Sequence, residues 1–243
     1  MNFNQIENKM KTALMERSKD RSCFINNATG NLLSYNDKKY IITCRHVADE
    51  FFSNSDGNVL LRGNKKISKS DLKYVTRTSN SIDIAIIEIL KCDAKLIFYT
   101  TEDFEIIDNF NQSDDDKTSF FVFGYPSQLK YEKDGNEFIL WMSYLTLMNK
   151  SISSTKDFLY LDYPTESEMN IISERDLKTI LPEARGLSGA FIFKIKIFKE
   201  EKAKLWLPSL AKIVAIQSTW NKKSWLKGCN TKYLFDQLDQ QYS

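Results

Sequence analysis

From Arg21 onward the sequence is a series of short apolar runs separated by turn residues, and this texture restricts the fold most. The runs are rich in Ile, Phe and Tyr, and two of them, 31–35 and 40–43, flank residues 36–39 as the strands of a hairpin would. Further strand candidates lie at 58–61, 73–76, 82–89, 120–124, 138–145, 158–162, 190–198 and 212–218. Many short strands at modest spacing predict an all-β barrel or sandwich rather than alternating βαβ units.

A helix is predicted at each end of the chain. The first, over residues 3–17, has apolar residues at helical spacing: Phe3, Ile6, Met10, Ala13 and Leu14. This stripe indicates packing on the body of the protein, and a regulatory protein partner is the alternative. The second, over 231–240, has Asn230 or Thr231 as its N-cap. The polar, acidic stretch 99–117 would connect two halves of the chain.

Charge and hydropathy exclude several classes of partner. The chain has 34 Lys+Arg against 32 Asp+Glu, and the lysines are scattered among acids, so no nucleic-acid partner is expected. No apolar segment approaches the length of a membrane span. The first residues carry acids and amides where a signal peptide needs an apolar core, so we expect a cytoplasmic protein that does not bind a membrane.

Cysteine and histidine usage argues against disulfides and metals. Four cysteines are too sparse for a disulfide framework, and we interpret them as buried thiols in a reducing compartment: Cys23, Cys44, Cys92 and Cys229. The chain has no CxxC pair and only one histidine, which makes a structural zinc site improbable. We therefore expect neither a metal nor a cofactor.

That one histidine, His46, follows the apolar run 40–43 and stands in a small polar corner. A solitary histidine is more often structural than catalytic. Any hydrolase mechanism that needs a histidine base must nevertheless use His46, which makes the hypothesis easy to test.

Ser188 is the candidate nucleophile. Two of only eight glycines, Gly186 and Gly189, stand beside it. Glycine next to a nucleophile removes bulk where a substrate carbonyl must approach, and it permits backbone angles that point N–H groups into one hole. A glycine-rich turn before the apolar run 191–193, without any catalytic role, is the alternative.

Asp83 opens the apolar run that follows it, and by itself it could be a turn residue. The order His46, Asp83, Ser188, with gaps of 37 and 105 residues, matches the arrangement in which two β-barrels each supply part of a catalytic triad. The α/β-hydrolase pattern G-x-S-x-G is not met, because Ala190 replaces its last glycine. That fold also places its histidine after the serine, and no histidine follows Ser188.

These residues carry a resemblance to a known family. Over residues 22–240 the chain resembles the trypsin-like serine peptidases of the chymotrypsin fold, in the texture of their intracellular bacterial members. Thr43-x-x-His46-Val47 and Gly186-x-Ser188-Gly189 are the specific matches. Weaker matches follow in the right order: Thr29-Gly30-Asn31-Leu32-Leu33, Asp83-Ile84-Ala85, Phe123-Gly124-Tyr125-Pro126 and Ile213-Val214-Ala215-Ile216.

The resemblance implies a fold of two six-stranded antiparallel Greek-key β-barrels. An N-terminal helix would occupy 1–20, the first barrel 21–110, and the second barrel with the C-terminal helix 111–243. It also implies that Ser188 is the nucleophile, His46 the general base and then acid, and Asp83 the group that orients the imidazole. The backbone N–H groups of Gly186 and Ser188 would form the oxyanion hole.

Other positions imply how substrate binding and activation differ from the family pattern. Ser218 falls at the position where members of the family have a residue that contacts the triad aspartate and lines the substrate strand. Trp220 stands where an open specificity pocket has glycine, so we expect a restricted pocket. Pro182, six residues before the serine, replaces the acid that selects Lys or Arg. Leu187 cannot make the ion pair by which a newly cut N-terminus activates secreted relatives.

The function implied is a serine endopeptidase that cleaves a protein or peptide through an acyl-enzyme intermediate. The resemblance to intracellular bacterial members of the family implies that cleavage is conditional and takes place inside a bacterial cell, including in antiviral defence. Ala190, where the family often has glycine, and Trp220 keep an alternative open: a catalytically silent protease-fold module that binds peptides or partners.

Overall fold

The structure is a computed structural model that describes residues 3–55, 57–77, 81–93, 95–110, 118–133, 136–163, 172–173, 183–196, 208–221 and 224–242. Within this part of the chain, strands predominate and there are three α-helices: α1 (Phe3–Lys19), α2 (Arg45–Ser53) and α3 (Lys232–Asp239). None of the helices in these ranges is long and apolar enough to cross a membrane.

The first sheet contains seven antiparallel strands in the order β5-β4-β1-β2-β3-β7-β6. Its strands are β1 (Ser22–Ile25), β2 (Ala28–Tyr35), β3 (Lys38–Thr43), β4 (Asn58–Leu61), β5 (Lys66–Ser68), β6 (Leu72–Arg77) and β7 (Ala85–Ile89). The predicted hairpin joins β2 to β3 through Asn36 and Asp37, whose φ angles of 44° and 62° suit a tight two-residue hairpin turn.

The second sheet has the order β12-β16-β15-β14-β8-β11-β13, and a separate hairpin pairs β9 with β10. The strands in this half are β8 (Thr118–Gly124), β9 (Lys130–Lys133), β10 (Asn136–Ile139), β11 (Met142–Thr146), β12 (Phe158–Asp162), β13 (Ile172–Ser173), β14 (Phe191–Lys196), β15 (Lys212–Asn221) and β16 (Trp225–Asn230). Both sheets curl into barrel-like units.

The strand count per barrel differs from the expectation of six. Each sheet has seven strands, because a short segment pairs at one edge: β5 on β4, and β13 on β11. Such short edge strands satisfy backbone hydrogen-bonding groups that would otherwise be unpaired. The all-β, two-unit architecture is confirmed.

Several predicted elements match, and others were wrong or missed. The predictions at 58–61 and 158–162 coincide with β4 and β12. The single strand predicted over 138–145 is wrong: Leu140 and Trp141 separate β10 from β11, and the Leu140 N–H donates to Leu129 O instead of continuing a strand ladder. Helix α2 was not anticipated, although its buried residues have helical spacing: Val47, Ala48 and Phe51.

Helix α1 packs on the body of the protein. Met10, Leu14 and Met15 are buried in a cluster that also contains residues of both sheets, such as Tyr40 of β3 and Phe193 of β14. The apolar side chains that the structure describes in the second half of α1 are therefore covered within the chain.

The cysteines are all free, but they are not all buried. Cys23, Cys44 and Cys229 are buried as expected, whereas Cys92 is exposed, so that prediction was wrong for one thiol. Cys92 lies just after β7, beyond the last residue that pairs with β6, where no neighbouring strand covers the chain.

Candidate active site

His46 is held by the junction of β3 and α2. Strand β3 ends at Thr43, Cys44 is the extended N-cap residue with φ −77° and ψ 148°, and α2 begins at Arg45. The apolar side of α2 is buried in the first sheet, which fixes the helix and leaves the imidazole, on the other side, 53% exposed. A rigid element therefore presents an accessible imidazole.

Asp83 is placed against this imidazole from the loop before β7. Ile82 and Ile84 on either side of it are buried in a cluster that contains residues of both sheets, and this burial anchors the loop. Asp83 Oδ2 lies 2.6 Å from His46 Nδ1, and the backbone N–H of His46 donates to Asp83 Oδ1 at 3.1 Å. Two contacts therefore orient the imidazole, and Nε2 is left for other chemistry.

The charge of Asp83 is stabilised in the folded protein. Burial raises the pKa of this carboxyl, but the hydrogen bonds from the His46 ring and backbone N–H, with the charges of His46 and Arg45, outweigh it. The pKa of Asp83 therefore lies below its ordinary value. An ionised Asp83 is the form that can hold the Nδ1–H tautomer and stabilise an imidazolium.

Ser188 lies in a turn that only glycines can form. Gly186 and Gly189 have φ angles of 96° and 92°, and an added Cβ would overlap backbone atoms at both sites: those of Tyr125 and Ser127 at Gly186, and those of Thr29 at Gly189. The side chain of Ser188 is half-buried. The glycines are therefore required by the shape of this turn and by its close packing.

The backbone of the same turn presents two N–H groups. Leu187 N–H donates to Ala184 O at 3.0 Å, and Ala190 N–H donates to Leu187 O at 2.8 Å. Among the described residues, neither the Gly186 N–H nor the Ser188 N–H donates a hydrogen bond. Two unengaged donors on either side of Leu187 can together bind an anionic oxygen.

The turn is fastened by hydrogen bonds to the end of β3, three residues before His46. Ser188 O accepts from the Thr29 N–H at 3.0 Å, and Thr29 O in turn accepts from Thr43 Oγ1 at 2.8 Å. The thiol of Cys44 donates to Gln217 O, the same oxygen that accepts the Gly189 N–H. The neighbours of His46 and of Ser188 thus share hydrogen-bond partners.

The structure brings His46 and Asp83 into direct contact but does not join Ser188 to them. Among the described side chains, no hydrogen bond links Ser188 Oγ to His46. Such bonds are often long in unliganded enzymes and tighten when the substrate binds. The structure therefore provides an oriented imidazole at the β3–α2 junction and a hydroxyl on the glycine-shaped turn, where two N–H groups donate to no described residue.

The predicted substrate-binding residues have different surroundings. Ser218 is buried, and its hydroxyl donates to Lys227 O at 3.3 Å; no hydrogen bond among the described residues joins it to Asp83. Trp220 packs with its ring centroid 6.0 Å from that of Tyr163. Pro182 lies outside the described residues.

Cys44 is a neighbour of the pair that the sequence did not reveal. One ligating atom from each of Cys44, His46 and Asp83 lies within 4.8 Å of the others, the one such group of three potential metal ligands in the described part of the chain. Burial, followed by the charge of Asp83, raises the pKa of the Cys44 thiol well above its ordinary value, and a protonated thiol is a poor metal ligand. The mutual hydrogen bond of His46 and Asp83 also occupies ligand atoms.

Comparison with solved structures gives the fold. The chain is similar to the Rv3671c protease in its inactive form, with 14% identity and a TM-score of 0.50 over 98% of this chain and 95% of that one. It also matches Deg5, at 12% identity with a TM-score of 0.49 over 95% and 92% of the two chains. A serine protease of a human pathogenic astrovirus matches at 15% identity, with a TM-score of 0.39 over 87% and 90%.

In sequence, neither a protein-family model nor a curated protein matches the chain. The similarity to the Rv3671c protease spans both sheets, and it agrees with the two curled antiparallel units described above. The chain therefore has the fold of the trypsin-like serine proteases.

Proposed function

We propose that the chain is a serine endopeptidase that uses His46, Asp83 and Ser188. The observation that carries the proposal is the 2.6 Å contact between His46 Nδ1 and Asp83 Oδ2, beside a glycine-shaped turn that bears Ser188. This pair leaves Nε2 of an exposed imidazole as the base, which is the arrangement that acyl transfer from serine requires.

In the proposed mechanism Ser188 Oγ attacks the scissile carbonyl carbon of a protein or peptide while His46 Nε2 accepts its proton. His46 then donates that proton to the leaving amine, and water hydrolyses the acyl-enzyme. The N–H groups of Gly186 and Ser188 bind the oxyanion, and each such donor contributes about 3 to 4 kcal/mol to the transition state. No metal or cofactor takes part.

The proposal is tested with an active-site probe. A fluorophosphonate reacts only with a serine activated by a base, so we expect labelling of the wild type and none of Ser188→Ala. His46→Ala and Asp83→Asn should lower the labelling rate by several orders of magnitude. Ser151→Ala, which removes an exposed hydroxyl between β11 and β12, is the control and should label normally. Labelling that persists in Ser188→Ala would show that another residue reacts.

A second candidate is a catalytically silent module that binds peptides or partners. It is favoured by the absence, among the described side chains, of a hydrogen bond between Ser188 and His46, and by Trp220, whose ring centroid lies 6.0 Å from that of Tyr163. This candidate predicts no labelling at any pH, while the purified protein still binds a peptide ligand in calorimetry. Labelling of Ser188 would exclude it.

The proposal also covers how the protease is activated and in which cells it acts. Leu187 is fully buried among apolar side chains of the second sheet, so it is not available to a cleaved N-terminus, and activation would come from a partner or effector. We place this conditional cleavage in a bacterial cytoplasm, in antiviral defence. Capture of substrates by Ser188→Ala in infected and uninfected cells tests the assignment, which fails if the captured proteins are the same.

A further inference from the structure

The nucleophile turn, residues 185–189, has a hydrogen bond on each of its backbone carbonyl oxygens. By contrast, the N–H groups of Gly186 and Ser188 donate to no described residue. A peptide group is planar and trans, so a carbonyl that is held in place points the N–H group of the next residue in the opposite direction. The groups that hold these carbonyls therefore aim the two oxyanion donors.

The Ser188 donor is aimed through Asn31 of β2. Asn31 is buried, and its Nδ2 donates to Gly189 O at 2.8 Å; the orientation of the amide follows because a carbonyl oxygen can only accept. This bond fixes the peptide group whose N–H belongs to Ala190, and that N–H donates to Leu187 O at 2.8 Å. Leu187 O is in turn the carbonyl oxygen of the peptide group that carries the Ser188 N–H.

The Gly186 donor is held by contacts on both sides of the residue. On one side, the Ser127 N–H donates to Arg185 O at 2.8 Å and orients the peptide group that carries the Gly186 N–H. On the other side, the Thr29 hydroxyl donates to Gly186 O at 2.8 Å, and the same hydroxyl accepts from the Tyr125 N–H at 2.9 Å. These bonds restrain a glycine backbone that is otherwise the easiest to rotate.

The two side chains that hold the turn come from the other barrel. Thr29 and Asn31 are two residues apart on β2 of the first sheet, so they project from the same face of the strand, and both are buried. The turn that they contact precedes β14 of the second sheet. The Thr29 N–H adds a third bond across this junction, to Ser188 O at 3.0 Å. The donors thus belong to one barrel and the groups that aim them to the other.

We propose that Thr29 and Asn31 are positioning residues of the oxyanion hole, which is complete only while β2 of the first barrel is docked against the nucleophile turn. The inference rests on the proposed function. Neither side chain touches the substrate; each acts by holding a carbonyl of the turn. A movement that separates the barrels at this contact would disable the hole and leave the contact between His46 and Asp83, which both belong to the first half of the chain, in place.

The test compares Thr29→Val, which keeps the shape of the side chain and removes the hydroxyl, with Thr29→Ser, which keeps the hydroxyl. The phosphoryl oxygen of a fluorophosphonate occupies the oxyanion hole as the probe reacts, so the labelling rate of Ser188 reports on the hole. We expect Thr29→Val to label about 10- to 100-fold more slowly than the wild type, less than the loss of about 100- to 1000-fold when a donor itself is removed. Thr29→Ser should label at close to the wild-type rate, and Asn31→Leu, which removes the amide donor, should be slowed as much as Thr29→Val.

Two controls distinguish positioning from general damage to the fold. Thr146→Val makes the same exchange at a buried threonine of β11, whose hydroxyl donates to Asp162 O, and it should label at the wild-type rate. Diethyl pyrocarbonate modifies the imidazole of His46, the one histidine of the chain, without using the oxyanion hole. The rate of this modification should therefore be the same in the wild type and in every variant.

The outcomes separate this inference from the proposed function. A wild type that does not label would overturn the proposed function, and the inference with it. A wild type that labels no faster than Thr29→Val and Asn31→Leu would overturn the positioning role alone. An equal loss in Thr146→Val, or a changed rate of His46 modification, would also overturn it, because either result indicates a general structural effect. Circular dichroism shows which variants fold, and Asn31→Leu decides if Thr29→Val does not.

Discussion

At the scale of single residues, the site depends on the environment of Asp83. Its carboxylate receives the His46 ring and backbone N–H, and the buried thiol of Cys44 lies close by. His46 was paired with Asp83 from sequence because the order His46, Asp83, Ser188 matches the two-barrel arrangement of a catalytic triad. The closeness of Cys44 to this pair could not be predicted from the sequence, because a cysteine two residues before a histidine matches no known motif.

The lowered pKa of Asp83 predicts how stability depends on pH. A carboxyl whose pKa is lower in the folded state stabilises the protein above its unfolded pKa, and this contribution is lost as the pH falls toward the folded value. Between pH 7 and pH 3, the free energy of unfolding should therefore decrease less steeply for Asp83→Asn than for the wild type. Urea unfolding at a series of pH values measures the two slopes.

A control variant shows whether the pH dependence of stability comes from the His46–Asp83 pair. Asp20→Asn removes an exposed carboxylate that pairs with Arg62 at the surface, where solvent screens the charge, so its slope should match that of the wild type. Equal slopes for Asp83→Asn and the wild type would contradict the inferred stabilisation of the Asp83 charge.

At the scale of elements, turns and junctions place the reactive groups. The β3–α2 junction presents His46, and the turn between Gly186 and Gly189 presents Ser188. The two glycines were recognised from sequence because glycine is scarce in this chain. Helix α2 was missed because the buried positions that define it follow directly after an apolar strand, where the two periodicities merge.

The nucleophile turn should be intolerant of any side chain at Gly189. Gly189→Ala adds a Cβ that overlaps Thr29 O at a φ of 92°, whereas Gly63→Ala adds one at a φ of 75° with no atom within 4 Å. Gly63→Ala should lose about 1 kcal/mol of stability, the conformational cost of a positive φ. Gly189→Ala should lose more than that and should abolish labelling of Ser188.

Thermal and urea unfolding of the two variants, with fluorophosphonate labelling, check this prediction. Since both glycines have a positive φ, the difference between the variants isolates the close packing against Thr29. Equal losses of stability with normal labelling in Gly189→Ala would show that the turn adapts to the added methyl group.

At the scale of the whole molecule, α1 and the segment after residue 98 fasten the two sheets together. Arg17 of α1 pairs with Asp103 of that segment, and its guanidinium lies 5.9 Å from the ring centroid of Phe193 in the second sheet. Lys194 of β14 pairs with Glu105 at 3.0 Å. His46 lies in α2 after a strand of the first sheet and Ser188 in the turn before β14 of the second, so their relative position depends on such contacts.

Removal of the Arg17 guanidinium should therefore be costly. Arg17 is 10% exposed, and Arg17→Ala removes the donor to Asp103 Oδ1 and to the carbonyl of Ala211, so we expect a loss of about 2 kcal/mol or more. Arg62→Ala removes an ion pair of a side chain that is 54% exposed and should cost less than about 1 kcal/mol. Urea unfolding monitored by tryptophan fluorescence compares them; similar losses would contradict a fastening role for Arg17.

The sequence by itself determined the class of fold and the three candidate catalytic residues. Short apolar runs with turn residues can bury their surfaces only as sheets, and a single histidine left one choice of base. Only the tertiary structure decided which atoms meet: that His46 Nδ1 contacts Asp83, and that Cys44 and Gly189 share Gln217 O. These facts depend on register between strands far apart in the chain. Local sequence patterns carry no information about that register, because it is set by packing across the two sheets.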